Sequence, residues 1–501
     1  MENERSDLQA SEPQPSRVYP RDKFIVLLII LIVLVVLIGA AQRVPIPTTG
    51  YLAFSEESLE GDIAMKLSYV YGRQALSVPS EAAQKWEIGA LAERQRRSAI
   101  ASYQRAVRAD PSPANMRRLI VIQDPGKRGR EIERLAKAAG PRTDTAPEVL
   151  RTEMAMWERI YVSADTLTTN QVEGYTSRIR GLGLGWYEHL ALADLFDRGG
   201  MPARAKAERS AASEAASRTV GVLVGLLMVL GLLGMAGVAC LTWYVRAKRT
   251  GRLAARDADL DFPSPTRSLA AGYLLETFVI YLVIVVGLQV AAGIAVAAGM
   301  LITGALRPAD TILITAGVYV LAGLLSALYL SRRLRSAEAS WKTVGLSTGN
   351  PLADVAWGLG GYAVALPLLA IAVLVSQVLS RYVQTPSNPI VPLFVASESL
   401  LGRLILLGLI VIAAPFFEEL FFRGVLYNSF RVRWGVRLGI ILSALVFAAV
   451  HPLPVGFLPI FVLGYILATL VHERGSLLPA IVAHGLNNTV AFMMLLILTE
   501  S

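Results

Sequence analysis

Apolar and polar positions divide the chain into three kinds of stretch. Residues 1–23 are polar and contain Pro and Ser, the composition of a disordered tail. Residues 24–41 carry no charge and are flanked by Arg21, Lys23 and Arg43. As a helix that run rises about 27 Å, enough to cross a bilayer core. Its end, Gly39-Ala40-Ala41, is small enough for a signal peptidase. The apolar run is nevertheless longer than a signal h-region, which favours an uncleaved anchor. Residues 42–218 are rich in Ala, Arg and Glu with helical periodicity. Beyond them, apolar runs at 220–245, 269–305, 311–330, 355–379, 400–432, 436–450, 455–471 and 477–498 predict more membrane helices. With the first run they make about nine spans, and Trp434-Gly435 is the expected turn between two of them.

The stretch 42–218 predicts a soluble α-helical domain. Ala99, Tyr103, Ala106 and Pro111, and again Leu192, Ala193, Phe196, Gly200, Ala205 and Ala212, have the spacing of tetratricopeptide-type hairpins. There, small residues let two helices approach closely. Such a domain offers a surface for a protein partner or serves as a helical spacer. His189 reads as an ordinary helix residue. The expected fold is all-α: a polytopic membrane helix bundle with an inserted soluble α-helical repeat-like domain. Its parts are a cytoplasmic tail 1–23, an anchor 24–41, the helical domain 42–218, spans with basic loops 219–339, and a catalytic region 340–501.

Charge orients this arrangement. The net charge is +9, and basic clusters follow or precede the spans at Arg17/Arg21/Lys23, Arg246–Arg256 and Arg332–Arg335. Under the positive-inside rule those clusters face the cytoplasm, which puts residues 42–218 outside it, in a multi-pass protein of the cell membrane. Hydrophobic residues make up 54% and charged residues 17%, with a mean hydropathy of +0.49, too apolar for a soluble protein. No aromatic-interleaved basic patch points to nucleic acid. The single cysteine, Cys240, excludes an internal disulfide.

The chemistry sits in Ala414–Gly424, where Glu418, Glu419 and Arg423 interrupt an apolar run. Ionisable groups at membrane depth persist only with partners or a function. Glu419 and Arg423 are four apart and share a helix face, as do Phe447 and His451, and His484 and Asn488. Measured from the inner turns, Glu418 and His451 lie about 21 Å and His484 about 13 Å up their helices, at broadly similar depth. Glu418 points about 100° away from Glu419, so the two predict different partners. A carboxylate that activates water, an imidazole that shares its proton, and an imidazole and amide that bind an oxyanion make a peptidase set. Glu418, His451, His484 and Asn488 supply those groups. Glu276 lies near a helix end and His472 in a polar loop, and neither is assigned chemistry.

Glu418-Glu419-x-x-x-Arg423, Phe447-x-x-x-His451 and His484-x-x-x-Asn488 resemble the three motifs of the CPBP family, also called the Abi or type II CAAX prenyl endopeptidase family. Trp341-x-x-Val-Gly-Leu346 is similar to the family's lead-in. The resemblance covers residues 340–500 and not the N-terminal region. It implies an intramembrane endopeptidase acting on membrane-anchored proteins or peptides. Glu418 and His451 would activate water, His484 and Asn488 would form the oxyanion site, and Glu419 with Arg423 would support them. No cofactor is favoured. The alternative is zinc on Glu418, His451 and His484, since three protein ligands plus water suffice; no His-Glu-x-x-His is present. Two other functions compete: an idle membrane scaffold or immunity protein whose helical domain recruits a partner, and a transporter with a glutamate proton relay. The His484/Asn488 pair argues against the relay.

Overall fold

The structure is a computed structural model that describes residues 20–41, 56–77, 87–109, 112–138, 147–252, 267–303, 308–347, 349–379, 394, 399–451 and 456–499. The tail 1–19, Arg43, Pro111, Arg256 and residues 380–398 apart from Phe394 lie outside the described residues. Among the described residues the regular structure is helical throughout.

The N-terminal domain is built from α2 (Glu56–Ser77), α3 (Ile88–Ala109), α4 (Pro113–Ile122), α5 (Pro125–Ala138), α6 (Pro147–Tyr161), α7 (Thr169–Arg180) and α8 (Tyr187–Arg198). Local sequence sets several starts. Ser112 caps α4 by accepting from the Asn115 N–H, with Pro113 in the first turn where its missing N–H costs nothing. Thr168 and Gln171 close a reciprocal capping box on α7. Tyr103, Leu119, Trp157, Tyr187 and Phe196 fill the core. Ala99 and Ala106 are fully buried. His189 Nδ1 donates to the Glu208 carboxylate, 2.7 Å away on the next helix.

That next helix, α9 (Pro202–Arg249), is 48 residues long, about 72 Å. Its first part buries Ala205, Ala212 and Ala216 against the domain core, and Trp186 Nε1 donates to the Ala212 carbonyl at 2.9 Å. Its second part is apolar, and Arg246, Lys248 and Arg249 end it, where cations complement the helix dipole. The change in composition near residue 218 is therefore no structural break: one helix carries the chain from domain into bundle.

The bundle adds α10 (Arg267–Thr303), α11 (Pro308–Ser336), α12 (Pro351–Leu379), α13 (Leu400–Trp434), α14 (Val436–Ala449), α15 (Phe457–Arg474) and α16 (Leu478–Thr499). Seven of these helices among the described residues are long and apolar enough to cross a membrane: α9 to α13, α15 and α16. Of the expected spans, α14 is a shorter apolar helix of 14 residues. The other, α1 (Arg21–Ala41), opens with Arg21, Asp22 and Lys23 and buries Phe24 and Leu31 in the bundle core. Backbones approach closely where glycine allows it. A Cβ on Gly358 of α12 would stand 2.7 Å from the Pro479 carbonyl oxygen on α16, the small-residue packing expected of membrane helices.

Charges at the helix ends are paired. Glu276 on α10 meets Arg333 on α11. Asp354 on α12 accepts from Arg474 Nε at 2.7 Å. Glu473 on α15 takes Tyr244 Oη at 2.8 Å and Lys248 Nζ at 2.5 Å, both from α9. His472 lies in the last turn of α15, not in a loop.

Candidate active site

The site is assembled from α11, α13, α14, α15 and α16. α13 runs from Leu400 to Trp434 and turns at Gly435, whose φ of +84° favours glycine. It is not a uniform α-helix. Leu409–Ala413 and Glu419–Tyr427 are π-helical, with Ala414–Glu418 α-helical between them. Widened turns of this kind are frequent at functional sites.

Pro415 accounts for the first. It has no N–H and its ring crowds the carbonyl four residues back. The Ala414 N–H bonds to Leu409 O, five residues back. Ile410 O thereby loses the Ala414 N–H, and its π-type partner would be Pro415, which has none. Asn488 on α16 fills that gap: its Nδ2 donates to Ile410 O at 2.9 Å. Asn487 Nδ2 donates to Asn488 Oδ1 at 3.4 Å, which fixes the amide's orientation. Asn488 keeps its second Nδ2 hydrogen. At the other end, Asn428 Nδ2 donates to Gly424 O at 2.9 Å.

The two glutamates face different partners. Glu419 is fully buried, and its Oε1 accepts from Arg423 Nη1 at 2.7 Å and from His484 Nδ1 at 2.8 Å. Its Oε2 has no hydrogen-bond partner among the described residues. Arg423 is also buried; its Nη2 donates to Gly464 O of α15 at 3.3 Å and its guanidinium lies 4.2 Å from the centre of the Phe447 ring. The carboxylate, the carbonyl and the aromatic face around this buried arginine offset part of its desolvation. Glu418 is partly buried. Its Oε1 accepts from Tyr319 Oη on α11 at 3.1 Å, and its Oε2 lies 3.8 Å from His484 Nε2. That last separation is beyond hydrogen-bond reach and is the kind a water spans.

His451 Nδ1 lies 2.6 Å from the Phe447 carbonyl. A carbonyl only accepts, so Nδ1 carries the hydrogen and Nε2 of the neutral ring has the lone pair. Phe447 sits between the imidazoles, its ring centre 4.7 Å from that of His451 and 5.8 Å from that of His484. His451 lies within electrostatic reach of Glu418, His484 and Arg423. Among the described residues no group of three or more His, Cys, Asp or Glu side chains is spaced to hold a metal ion.

The structure thus brings Glu418, Glu419, Arg423, Phe447, His451 and His484 together from α13, from α14 and the turn after it, and from α16, and sets Asn488 one turn further along α16 against Ile410. It also joins two partners not expected together, His484 with Glu419, and adds Tyr319, which lies outside every motif. The signal for Tyr319 was only an aromatic with a polar handle within an apolar run. The lead-in Trp341–Val344 is a short 3-10 turn against the same segment: a Cβ on Gly424 would stand 2.8 Å from Val344 O.

Residues 400–490 match the family model described as type II CAAX prenyl endopeptidase Rce1-like. The match supports placing this segment in the CPBP family. It contains the glutamate pair, Arg423, His451, His484 and Asn488, and leaves out Tyr319 and the helical domain. No curated protein and no solved structure shows significant similarity to the chain. Together with the seven long apolar helices, the match makes this a multi-pass membrane protein with a CAAX-protease-like segment.

Proposed function

We propose that the protein is an intramembrane endopeptidase that hydrolyses peptide bonds of membrane-anchored proteins or peptides with a water activated by Glu418 and His451. One observation carries the assignment of Glu418 over Glu419. Glu419 is committed to Arg423 and His484, whereas Glu418 has a neutral donor, Tyr319, on one oxygen and a 3.8 Å gap to His484 on the other.

The roles follow from those bonds. Glu418 Oε2 takes a proton from the water, whose oxygen attacks the scissile carbonyl. His451, with its lone pair on Nε2, shares that proton and passes it to the leaving amine. The oxyanion of the tetrahedral intermediate receives hydrogen bonds from the free Asn488 N–H and from His484. Because His484 gives Nδ1–H to Glu419, it donates to an oxyanion only from Nε2–H, in its doubly protonated form. Glu419 is the carboxylate that balances that charge, and Arg423 holds Glu419 in place. This chemistry uses no metal. In this reading the chain makes about nine spans, and the tetratricopeptide-like domain of residues 42–218 is extracytoplasmic and presents a surface to a protein partner.

Cleavage of a peptide library by the purified protein tests the reading, with Glu418→Ala, His451→Ala and His484→Ala beside the wild type. All three variants should fold and fail to cleave. Cleavage by the Glu418 variant would sink the mechanism. Loss of wild-type activity on exhaustive chelation, restored by zinc, would replace it with the metal version.

A further inference from the structure

The helical domain carries a basic groove away from the two glutamates. A cavity of about 640 Å³ lies among α3, α4 and α5, lined by Arg108, Lys127, Arg130, Arg134 and Lys137 with Glu131 as its carboxylate. That volume is in the range of small-molecule sites. Two of the cations are already engaged: Lys127 with Asp124 at 3.1 Å and Arg134 with Glu131 at 3.1 Å. Arg108, Arg130 and Lys137 have no acidic partner among the described residues.

Gln123 supplies an independent observation. It lines the same cavity and is only 1% exposed. Its Oε1 accepts from the Asp124 N–H at 3.0 Å, so the amide orientation is set and Nε2 is the donor end. That Nε2 is buried and has no acceptor among the described residues. The Val121, Ile122 and Gln123 carbonyls at the end of α4 accept from Arg128 Nη2, Arg96 Nη2 and Arg128 Nε. A buried donor left alone is destabilising, and an acceptor brought from outside the chain, beside these cations, would offset that cost.

We propose that this cavity binds a small, multiply charged anion bearing phosphate groups. A single carboxylate would leave most of the unpaired cations uncompensated. A phosphate ester offers several acceptor oxygens and more than one charge, matched to guanidinium groups and the Gln123 amide. Val107 and Met116 add an apolar wall for the remainder of the ligand. The site lies apart from the glutamates and does not depend on the peptidase reading.

Isothermal titration of the full chain in non-ionic detergent tests it. Pyrophosphate is the probe for a soluble ligand, dihexanoyl phosphatidic acid the probe for a lipid headgroup, and dihexanoyl phosphatidylcholine the control. Saturable binding of one anionic probe, weakened about tenfold or more by Gln123→Met and by the Arg108→Gln/Arg130→Gln pair, is the expected result. Preference for pyrophosphate or for the phosphatidic acid then tells the soluble source from the headgroup. The exposed arginine variants decide the matter if Gln123→Met does not fold. No saturable binding of either anionic probe, or binding unchanged in the arginine pair, overturns the proposal.

Discussion

Two buried glutamates, one in each region of the molecule, show what separates a structural carboxylate from a reactive neighbourhood. Glu153 in the helical domain has both oxygens filled: Arg117 Nε and Nη2 donate at 2.7 Å each, and Trp157 Nε1 donates at 3.0 Å. Glu419 in the bundle loads two donors onto Oε1 and leaves Oε2 without a partner. Both are essentially inaccessible to solvent. A bidentate arginine with a third donor satisfies a carboxylate and fixes a fold. A carboxylate whose donors include an imidazole, with a second carboxylate on the far nitrogen of that ring, is arranged to hold and move a proton. On the proposed reading, Glu153 serves stability alone and Glu419 serves both stability and the site.

The largest effects break the comparison directly. Glu153→Gln leaves Arg117 without its buried counter-charge and should cost about 3–5 kcal/mol. Thermal unfolding would show a lowered transition, while cleavage per folded molecule stays at the wild-type rate. Glu419→Gln should lower stability by a similar amount and also abolish cleavage, because His484 loses the charge that orients it. Equal activity loss in both variants would mean that the distinction between them is false.

A smaller effect concerns Asn488. Asn488→Leu strands the Ile410 carbonyl and should cost about 1–3 kcal/mol. Pro415→Ala restores an N–H to α13, so Ile410 O regains a helical partner. In that background the Asn488 substitution should cost measurably less stability, a coupling that a double-mutant cycle reads. Additive costs would disconnect Pro415 from Asn488.

Next is Tyr319. Removing one hydrogen bond to a charged group, as Tyr319→Phe does at Glu418, should lower kcat by about tenfold. It should also move the acid limb of the pH–rate profile, which a merely structural tyrosine would not do. An unchanged profile with lower stability would make Tyr319 a packing residue.

The smallest effect lies in the helical domain. Burial pulls the Lys66 ammonium down to about 8 from its ordinary 10.5, against the pull of the Asp62 charge. Between about pH 8 and 10.5 the unfolded chain holds more protons than the folded one, so Lys66 makes stability rise with pH across that window and contributes no slope below it. Lys66→Met should flatten that rise, followed as the domain's unfolding temperature from pH 8 upward. An identical slope in the variant would contradict the assignment.

Much of the bundle was legible because membrane depth restricts what a sequence can do. Uncharged runs gave the long helices, and the Trp434-Gly435 turn and the Glu419–Arg423 pair followed from breaker chemistry and i,i+4 spacing. What was not legible came from departures from uniform geometry. Counting residues at one helical period hides the π turns, so the carbonyl that Asn488 satisfies was invisible. Asn488 read as an oxyanion donor, yet one of its two N–H groups serves the backbone of α13. Tyr319 reaches Glu418 from a helix far away in sequence, and no spacing rule links them. The boundary near residue 218 was read from composition. The five glycines between Gly221 and Gly237 do not interrupt α9, because packing of its alanines and its apolar length outweigh their propensity.

The most direct test of the account is cleavage by Glu418→Gln, which keeps the side chain's shape and its capacity to meet Tyr319 while removing the base. The purified variant should unfold at the wild-type temperature and cleave slower by about a thousandfold, the scale of lost general-base catalysis. Cleavage near the wild-type rate in the folded variant would contradict the claim that Glu418 activates the water.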